Sequence, residues 1–281
     1  MTKQTDTIKP RISTMDIGAR KNKSPIIALT AYTTPMAQRL DDYVELLLVG
    51  DSLAMVIYGM ESTVGIELNT MIAHGKAVMR GSRKACVIVD LPAGTYEGSA
   101  EQALGSARRV IDETGAQGVK LEGGCAIAGQ IRAIVNAGIP VLGHVGLLPQ
   151  NVTEAGGYRI QGRDDAGYQL VLNDARAVSD AGAFAVVIEG TIERLAREIT
   201  ETVPIPTIGI GASPACDGQI LVTDDMLGLF SDFTPKFVKR YGTIGKAVEQ
   251  AARNYAADVQ AHRFPDTSHV YQPALSTKAA G

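Results

Sequence analysis

GAQGVKLEG at residues 115–123 is the first of three similar segments, followed by GIPVLGHVG at 138–146 and GAFAVVIEG at 182–190. Each begins with a glycine, continues through an apolar run typical of a buried strand, and ends with a polar residue close to a second glycine. The polar residues are Glu122, His144 and Glu189. A unit that repeats in this way predicts successive strands of one parallel sheet, with helices between them.

The same alternation extends to both sides of these segments. Eight apolar runs are predicted to be strands, the last of them the weakest: Ile26–Thr30, Glu45–Val49, Cys86–Asp90, Gly118–Glu122, Pro140–His144, Phe184–Glu189, Pro206–Ile210 and Gln219–Val222. Helices are predicted near residues 35–42, 67–80, 99–114, 125–137, 165–181, 191–203 and 242–260. A (β/α)8 barrel needs about 250 residues. We therefore predict an α/β fold with one barrel domain over residues 1–281, including an N-terminal extension and a mobile C-terminal tail.

The composition excludes several classes of protein. Hydrophobic residues make up 45% of the chain and charged residues 20%, which is enough apolar material for a large core. With 27 Lys+Arg against 30 Asp+Glu, the net charge of −3 offers no basic surface for nucleic acid or an anionic membrane. The three cysteines form no CxxC pair, and no segment resembles a signal peptide or a membrane span. We expect a cytoplasmic protein that binds neither nucleic acid nor a membrane.

Polar residues close five of the predicted strands at corresponding positions. They are Asp51, Asp90, Glu122, His144 and Glu189. In a parallel barrel the carboxyl ends of all strands meet at one rim, where active sites lie. A single strand end can be polar simply because it meets solvent, but five of them favour a shared site.

Asp51, Asp90 and Glu122 supply three carboxylates, with no histidine or cysteine partner at zinc-binding spacing. Hard oxygen ligands of this kind suit Mg²⁺, which binds one or two carboxylates, several waters and a substrate oxygen. Asp51 could instead cap the turn after its strand. For Asp90 a purely structural role is less favourable, because it follows the apolar run at 87–89, where burying a carboxylate is costly.

The other candidates also have a structural and a functional interpretation. Lys120 and Glu122 share one face of a strand, so Lys120 either forms an ion pair with Glu122 or holds an anionic substrate. His144 is either a core histidine or a ligand, with space left beside it by neighbouring glycines. Glu189 either caps the following helix or acts as a general base at the end of an apolar strand. The long, glycine-containing segment at 146–163 is predicted to be a lid over the rim.

Eight short motifs carry a resemblance to a known enzyme family. They are LLLVGDS (46–52), VDLP (89–92), VKLEGG (119–124), GHVGLLPQ (143–150), GGYRIQGR (156–163), IGIGA (208–212), DGQILV (217–222) and PKFVKRY (235–241). Over residues 13–271 the chain resembles the ketopantoate hydroxymethyltransferases. The resemblance implies a TIM barrel of the phosphoenolpyruvate/pyruvate-binding type that transfers a one-carbon unit from 5,10-methylene-tetrahydrofolate to α-ketoisovalerate in pantothenate synthesis. It also implies dependence on Mg²⁺ and a cytoplasmic homo-oligomer, typically a decamer.

The resemblance also implies roles for individual residues. The metal-binding residues would be Asp51, Asp90 and Glu122, the last one directly or through water. The residues in contact with the keto acid would be Asp51, Ser52, Asp90, Lys120 and His144. Glu189 would be the catalytic base. The chain departs from the family pattern at Thr33, at Ala93, at Ser213 and over residues 190–192, which affects loops and leaves the folate contacts open.

An α-keto acid can chelate Mg²⁺ through its carboxylate and keto oxygens, which acidifies the adjacent C–H and stabilises the developing enolate. Glu189 would remove that proton. Two other functions stay open at this point. The first is a Mg²⁺-dependent C–C lyase or mutase acting on an α-keto acid, although the cysteine motif of isocitrate lyases is not found in the sequence. The second is a barrel that binds a metabolite without catalysis.

Overall fold

Eight parallel strands form a closed barrel in the computed structural model, which describes residues 10–151, 158–229 and 234–272. They are β1 (Ile26–Thr30), β2 (Leu46–Val49), β3 (Cys86–Asp90), β4 (Gly118–Glu122), β5 (Val141–Gly146), β6 (Ala185–Glu189), β7 (Thr207–Ile210) and β8 (Gly218–Leu221). Each strand pairs in parallel with the next, and β8 pairs with β1. The predicted barrel is confirmed. The largest difference in a strand is that β5 continues past His144 to Gly146.

Helices follow the strands around the barrel. Seven of them lie where the sequence predicts them: α2 (Thr34–Leu40), α4 (Leu68–Gly81), α5 (Ala100–Thr114), α6 (Ala128–Asn136), α7 (Asp165–Asp180), α8 (Glu193–Thr202) and α10 (Ile244–Gln260). Three were not predicted: α1 (Thr14–Gly18), α3 (Leu53–Val56) and α9 (Thr223–Leu227). These have four or five residues, which is too short for a helical period to be visible in the sequence.

The N-terminal segment closes one end of the barrel. Ser13 and Asp16 cap α1 reciprocally, and Ile17 of this helix is completely buried among inward-facing side chains of the strands. The Ile12 N–H donates to the carbonyl oxygen of Lys84, just before β3, at 2.7 Å. The described part of the predicted N-terminal extension therefore contributes to the core through Ile17, while most of its other residues remain at least partly exposed.

The core has two layers, one inside the barrel and one between the strands and the helices. Along β3, Cys86 and Ile88 point inward, whereas Val87 and Val89 contact the helix layer. Because side chains alternate along a strand, the next inward position is Asp90. The opposite end from α1 therefore receives the polar side chains.

The C-terminal helix differs from the others because none of its residues is buried. Val248, Tyr255 and Val259 are 57%, 60% and 41% exposed, and the spacing of these residues places them on one face. Within the described ranges, no helix is long and apolar enough to cross a membrane. The final residues of the tail predicted to be mobile, 273–281, lie outside the described part of the chain.

Asp41 connects the end of α2 to the loop before β3 through hydrogen bonds. We expect Asp41→Ala to lower the free energy of unfolding by about 2–3 kcal/mol. Its carboxylate accepts hydrogen bonds from Ser82 Oγ at 2.6 Å and from the N–H groups of residues 83–85 at 2.8–3.2 Å. Burial alone would raise the pKa of Asp41, but these donors hold it below its ordinary value. A carboxyl group with a lowered pKa contributes stability above its unfolded pKa and loses it as the pH falls through the folded value.

Urea unfolding of the Asp41→Ala variant over a range of pH values measures this effect. The difference from the wild type should be full at pH 7 and should shrink in acid. Asp42→Ala is the matched control, since Asp42 forms an exposed ion pair with Lys84, and surface pairs contribute about 0–1 kcal/mol. Equal losses in the two variants would contradict the assigned role of Asp41.

Candidate active site

The polar residues at the rim continue the inward-facing series of the strands. Strand register places Asp90 of β3 beside Lys120 of β4, and Glu122 of β4 beside His144 of β5. Glu189 is the last residue of β6 and follows the inward-facing Ala185 and Val187 by the same alternation. The predicted rim site therefore exists as a contiguous group of side chains.

Burial divides the candidates into an inner and an outer set. The inner residues are at most 5% exposed: Asp51, Asp90, Lys120, Glu122 and His144. The Glu189 side chain is 19% exposed, and Ser52 is also only partly buried. Charges buried to this degree are costly unless they are paired, so the contacts among them determine what the site can do.

Lys120 is paired mainly with the carboxylate on the neighbouring strand. Its Nζ lies 2.8 Å from Asp90 Oδ1 and 3.8 Å from Glu122 Oε1. The ion pair with Glu122, one of the two roles that the sequence left open, is therefore present, but Asp90 is the closer partner. Burial disfavours the ammonium form, but Asp90 and Glu122 outweigh this and raise the pKa of Lys120 above its ordinary value. Lys120 is a permanent cation in the site.

His144 lies between two carboxylates. Nδ1 is 3.2 Å from Glu122 Oε1, and Nε2 is 3.3 Å from Glu189 Oε2. Neither ring nitrogen makes a well-directed hydrogen bond, so these contacts are electrostatic, and His144 is not a satisfied core histidine. Burial opposes the charged ring, but Glu122 and Glu189 raise the pKa of His144 to about 9. In turn, His144 and Lys120 overcome the effect of burial and lower the pKa of Glu122.

The glycines near His144 serve the backbone and not a ligand, contrary to the sequence interpretation. A Cβ at Gly143 would clash with Val178 of α7, on the outer side of the barrel. Gly146 has a φ of +96°, and a Cβ there would clash with the carbonyl oxygen of Glu189. Both glycines allow β5 to approach its neighbours closely.

Asp51 and Asp90 are adjacent at the rim. The Asp51 N–H donates to Asp90 Oδ2 at 3.0 Å, and Asp51 Oδ2 accepts from Gln150 Nε2 at 2.8 Å. Burial and the two carboxylates of Asp90 and Glu122 raise the pKa of Asp51 to about 8. Burial also raises the pKa of Asp90, although Lys120 opposes the change. The Asp51 side chain is thus part of the buried charge cluster.

The chemistry of the donors fits a hard divalent cation. Three inner carboxyl groups face two cationic side chains, so the cluster is one negative charge in excess when all three carboxyl groups are ionised. With the pKa of Asp51 raised to about 8, a bound divalent cation would favour that ionised form. Among the described residues, no three His, Cys, Asp or Glu side chains are arranged so that they could hold a metal ion. The carboxylates already have polar partners: Glu122 contacts His144 and accepts from the Gln150 N–H at 3.1 Å, and both oxygens of Asp90 accept hydrogen bonds, from Lys120 and from the Asp51 N–H. Asp51 and Asp90 are adjacent at the rim, and Mg²⁺ needs only one or two carboxylates, so this pair would be enough to hold it.

Two residues of the site were missed by the sequence interpretation. Gln150 and Tyr96 are 6% and 2% exposed, and they are joined by a hydrogen bond of 2.6 Å from Tyr96 Oη to Gln150 Oε1. Neither follows a strand directly, and neither belongs to the acid–base types that usually indicate catalysis. The position of Gln150 at the end of the GHVGLLPQ motif was the available signal.

The departures from the family pattern have local structural roles. Thr33 is the N-cap of α2, and its Oγ1 accepts a hydrogen bond from the Met36 N–H at 3.4 Å. Ser213 Oγ donates to Glu193 Oε1 at 2.9 Å. Ala93 precedes Tyr96 in the loop that supplies the buried phenol. Over residues 190–192, α8 begins only at Glu193 with Ile192 as its N-cap, so Glu189 is not a helix cap.

The segment predicted to be a lid is described only at its two ends, since residues 152–157 lie outside the described ranges. The Leu147 N–H donates to the carbonyl of Glu189 at 2.8 Å, and the Gln161 N–H to that of Gly190 at 2.8 Å. Tyr158 Oη lies 3.7 Å from the sulfur of Met55 on α3. Because α3 follows β2, which is opposite β6 in the ring of strands, this end of the segment crosses the barrel mouth. Ser52, just before α3, shares a hydrogen bond of 2.8 Å with Tyr32 Oη.

Solved structures with this fold include several enzymes that act on small organic acids. Phosphonopyruvate hydrolase in complex with oxalate and Mg²⁺ aligns with a TM-score of 0.59 and 12% identity, covering 91% of this chain and 92% of that one. A 2,3-dimethylmalate lyase of the PEP mutase/isocitrate lyase superfamily aligns with a TM-score of 0.58 and 19% identity, over 92% and 91%. At these identities the likeness concerns the fold alone, and it agrees with the predicted (β/α)8 barrel.

Sequence relatives are much closer. The profile of the ketopantoate hydroxymethyltransferase family matches residues 11–267. The 3-methyl-2-oxobutanoate hydroxymethyltransferase of Agrobacterium fabrum is 60% identical over 262 residues, which cover 93% of this chain and 94% of that protein. The enzyme of the same name from Sinorhizobium fredii is 56% identical over 266 residues, covering 95% and 97%. The resemblance carried by the eight motifs is confirmed, and the chain is an enzyme of the ketopantoate hydroxymethyltransferase family.

Proposed function

We propose that this enzyme transfers the one-carbon unit of 5,10-methylene-tetrahydrofolate to α-ketoisovalerate, forming ketopantoate for pantothenate synthesis, with Mg²⁺ as cofactor. The observation that carries the proposal is the buried cluster of Asp51, Asp90, Lys120 and His144 beside the more open Glu189. It combines cations for an anionic substrate, carboxylates for a metal ion and a separate carboxylate for proton transfer.

An α-keto acid matches the inner set chemically. Its carboxylate and keto oxygens can interact with Lys120 and His144, and Ser52 lies at the edge of the same site with a hydroxyl group. A divalent cation bound by Asp51 and Asp90 would supply Lewis-acid polarisation of the keto group. The phosphonopyruvate hydrolase with the same fold binds Mg²⁺ together with oxalate, a small dianion with two adjacent carboxylates. This supports a hard cation at the rim.

Glu189 is the proposed proton acceptor, because its side chain is the more open carboxylate beside the inner set. As general base it would take the C3 proton of the keto acid, leaving the electron pair of the C–H bond on the substrate as an enolate. C3 would then form the new C–C bond to the methylene carbon, and water would supply the hydroxyl oxygen as tetrahydrofolate leaves. Glu122 holds His144 in its cationic form next to Glu189, so positive charge stays close to the developing negative charge.

Deuterium exchange and product analysis test this function together. The protein is incubated with α-ketoisovalerate and Mg²⁺ in D₂O, with and without 5,10-methylene-tetrahydrofolate, and followed by NMR. We expect exchange at C3 without folate and ketopantoate formation with it. Binding without either reaction would indicate a metabolite-binding barrel, and cleavage of a C–C bond would indicate a lyase. The lyases known by structure share only the fold, so they do not favour that alternative.

We also propose that the enzyme acts in the cytoplasm as a homo-oligomer, a decamer by family resemblance, without nucleic-acid or membrane partners. The exposed apolar face of α10, which includes Val248, Tyr255 and Val259, supports association with other copies. On β1, Ile27 is also 50% exposed. Light scattering coupled to size-exclusion chromatography measures the mass. A monomer at micromolar concentration would contradict the proposed assembly.

Lys120→Ala tests whether the buried cation binds substrate. We expect kcat/KM for the keto acid to fall by about 10- to 100-fold, the effect of losing one charge-assisted hydrogen bond of about 1.5–3 kcal/mol. Lys76→Ala is the control, because Lys76 forms an exposed ion pair with Glu113 at 3.0 Å. If the Lys120 variant loses thermal stability while its folded fraction keeps normal kinetics, the pair with Asp90 is purely structural.

A further inference from the structure

Gln150 connects three parts of the rim through one buried amide. It lies in the 3₁₀ turn Pro149–Asn151 that follows β5. Its Nε2 donates to Asp51 Oδ2 at 2.8 Å and to the carbonyl oxygen of Leu91 at 3.0 Å, while Oε1 accepts from Tyr96 Oη at 2.6 Å. Both donor hydrogens of the amide are therefore used, and its oxygen also has a partner.

Tyr96 and the carbonyl oxygen of Leu91 together determine which way the amide is turned. A carboxamide can be rotated by half a turn with little change in shape, so its orientation depends on its neighbours. Burial raises the pKa of Tyr96 far above its ordinary value, so its hydroxyl remains a donor. That hydroxyl also lies 3.3 Å from the Glu122 N–H, which donates to it. The hydroxyl has two acceptors in reach, Gln150 Oε1 at 2.6 Å and the carbonyl oxygen of Glu122 at 3.0 Å. The carbonyl oxygen of Leu91 can only accept, so it requires the NH₂ group of Gln150 on its side, and the closer contact with Tyr96 favours the amide oxygen on the other side.

We propose that Gln150 is a positioning residue that holds the Asp51 carboxylate in the orientation needed for a divalent cation, with Tyr96 and the Leu91 carbonyl supporting the orientation of the amide. The proposal rests on the function proposed above. Gln150 ties Oδ2 of Asp51 and thereby restricts rotation of the carboxylate, which leaves Oδ1 available to a metal ion. A ligand that is already oriented loses less freedom when the ion binds.

The backbone N–H of Gln150 also contacts the carboxylate cluster. Its N–H donates to Glu122 Oε2 at 3.1 Å, so one residue contacts two carboxylates of the cluster. The side chain alone can be removed by mutation, which leaves the contact with Glu122 in place. The competing explanation is that the amide merely joins two loops through Leu91 and Asp51. If the amide positions Asp51, removing it should weaken metal binding. If it only joins the two loops, removing it should lower stability and leave the metal affinity unchanged.

Gln150→Met removes the amide while keeping most of its volume. Binding of Mn²⁺ is measured by electron paramagnetic resonance, and binding of Mg²⁺ in the presence of α-ketoisovalerate by calorimetry. We expect the Kd for the metal to rise by about 10- to 100-fold, the usual effect of removing a group that orients a ligand. Tyr96→Phe should raise it less, and the double variant should be no worse than Gln150→Met.

Gln117→Met is the matched control. The Gln117 side chain also makes a hydrogen bond inside the fold, accepting from the Val87 N–H at 2.7 Å, but it precedes β4 at the opposite end of the barrel. We expect it to lower the melting temperature without changing metal affinity. This separates the loss of a structural hydrogen bond from the loss of an orienting one.

Wild-type metal affinity in Gln150→Met, accompanied by a lower melting temperature, would overturn the positioning role. An equal effect of Tyr96→Phe in the presence and absence of Gln150 would overturn the part assigned to Tyr96. Should Gln150→Met fail to fold, unchanged metal affinity in Tyr96→Phe would still count against the proposal. Absence of metal binding in the wild type would refute the metal-dependent function itself, and this outcome is distinguishable from all the others.

Discussion

Glu189→Gln is expected to lower both C3 deuterium exchange and ketopantoate formation by about 10²- to 10⁴-fold, the contribution of a positioned general base. The glutamine keeps the volume of the side chain and can still hydrogen-bond, but it cannot accept a proton at neutral pH. Glu189 is the carboxylate that remains accessible, with 19% of its side chain exposed, whereas Glu122 is enclosed. Binding of the keto acid should therefore survive the substitution.

The control is Glu201→Gln, which makes the same change at an exposed position on α8. It should leave exchange and product formation unchanged. If exchange persists at the wild-type rate in Glu189→Gln while product formation alone collapses, Glu189 serves a later step. His144 would then be the next candidate for the base. With a pKa of about 9, it would first have to lose a proton, so activity would have to rise with pH.

The barrel could be predicted because each strand is a short apolar run bounded by glycine or polar residues, and because helical patterns separate the runs. The sequence pattern does not predict α1, because a five-residue helix has little more than one turn and shows no helical period. Ile17 of this helix nevertheless closes the barrel. The end of β5 was also placed too early. His144 is polar but inward-facing, so its polarity predicts a strand end at this residue, whereas the pairing continues to Gly146.

The positions of the charged residues followed from strand alternation, but their partners did not. Lys120 and Glu122 are two residues apart, so their common face is visible in the sequence. The closer contact of Lys120 with Asp90 depends on the register between β3 and β4, which no local pattern reveals. For the same reason, His144 was not predicted to lie between two carboxylates.

Gln150 shows a different kind of limit. An amide in a loop has no titratable group, no periodicity and no characteristic spacing to Asp51, which is 99 residues away in the chain. Only the folded barrel brings the two together. The sequence motifs therefore indicate that this turn matters, whereas the hydrogen bonds suggest why.

Complete removal of divalent cations is expected to reduce turnover to background, and Mg²⁺ or Mn²⁺ should restore it, because both prefer the hard oxygen ligands found here. Asp90→Asn should have a large effect as well. Lewis-acid catalysis contributes several kcal/mol, so weakening it should lower kcat/KM by about 10²- to 10³-fold at ordinary metal concentrations. The activity of the Asp90 variant should recover partly at high Mg²⁺ concentration, because the substitution weakens the affinity for the metal ion.

Asp90→Asn keeps the side-chain volume, but its single amide oxygen can accept only one of the two present hydrogen bonds, the one of 3.0 Å from the Asp51 N–H or the one of 2.8 Å from Lys120, so we expect a folded variant with a lower melting temperature. Circular dichroism and thermal unfolding check this, with the exposed Asp112→Asn on α5 as control. Full activity in exhaustively metal-free protein would refute the metal-dependent mechanism. The Asp90 variant could also have reduced activity that excess Mg²⁺ does not improve. That result would mean that Asp90 serves to hold the Lys120 ammonium group in place for the substrate, and not to bind the metal.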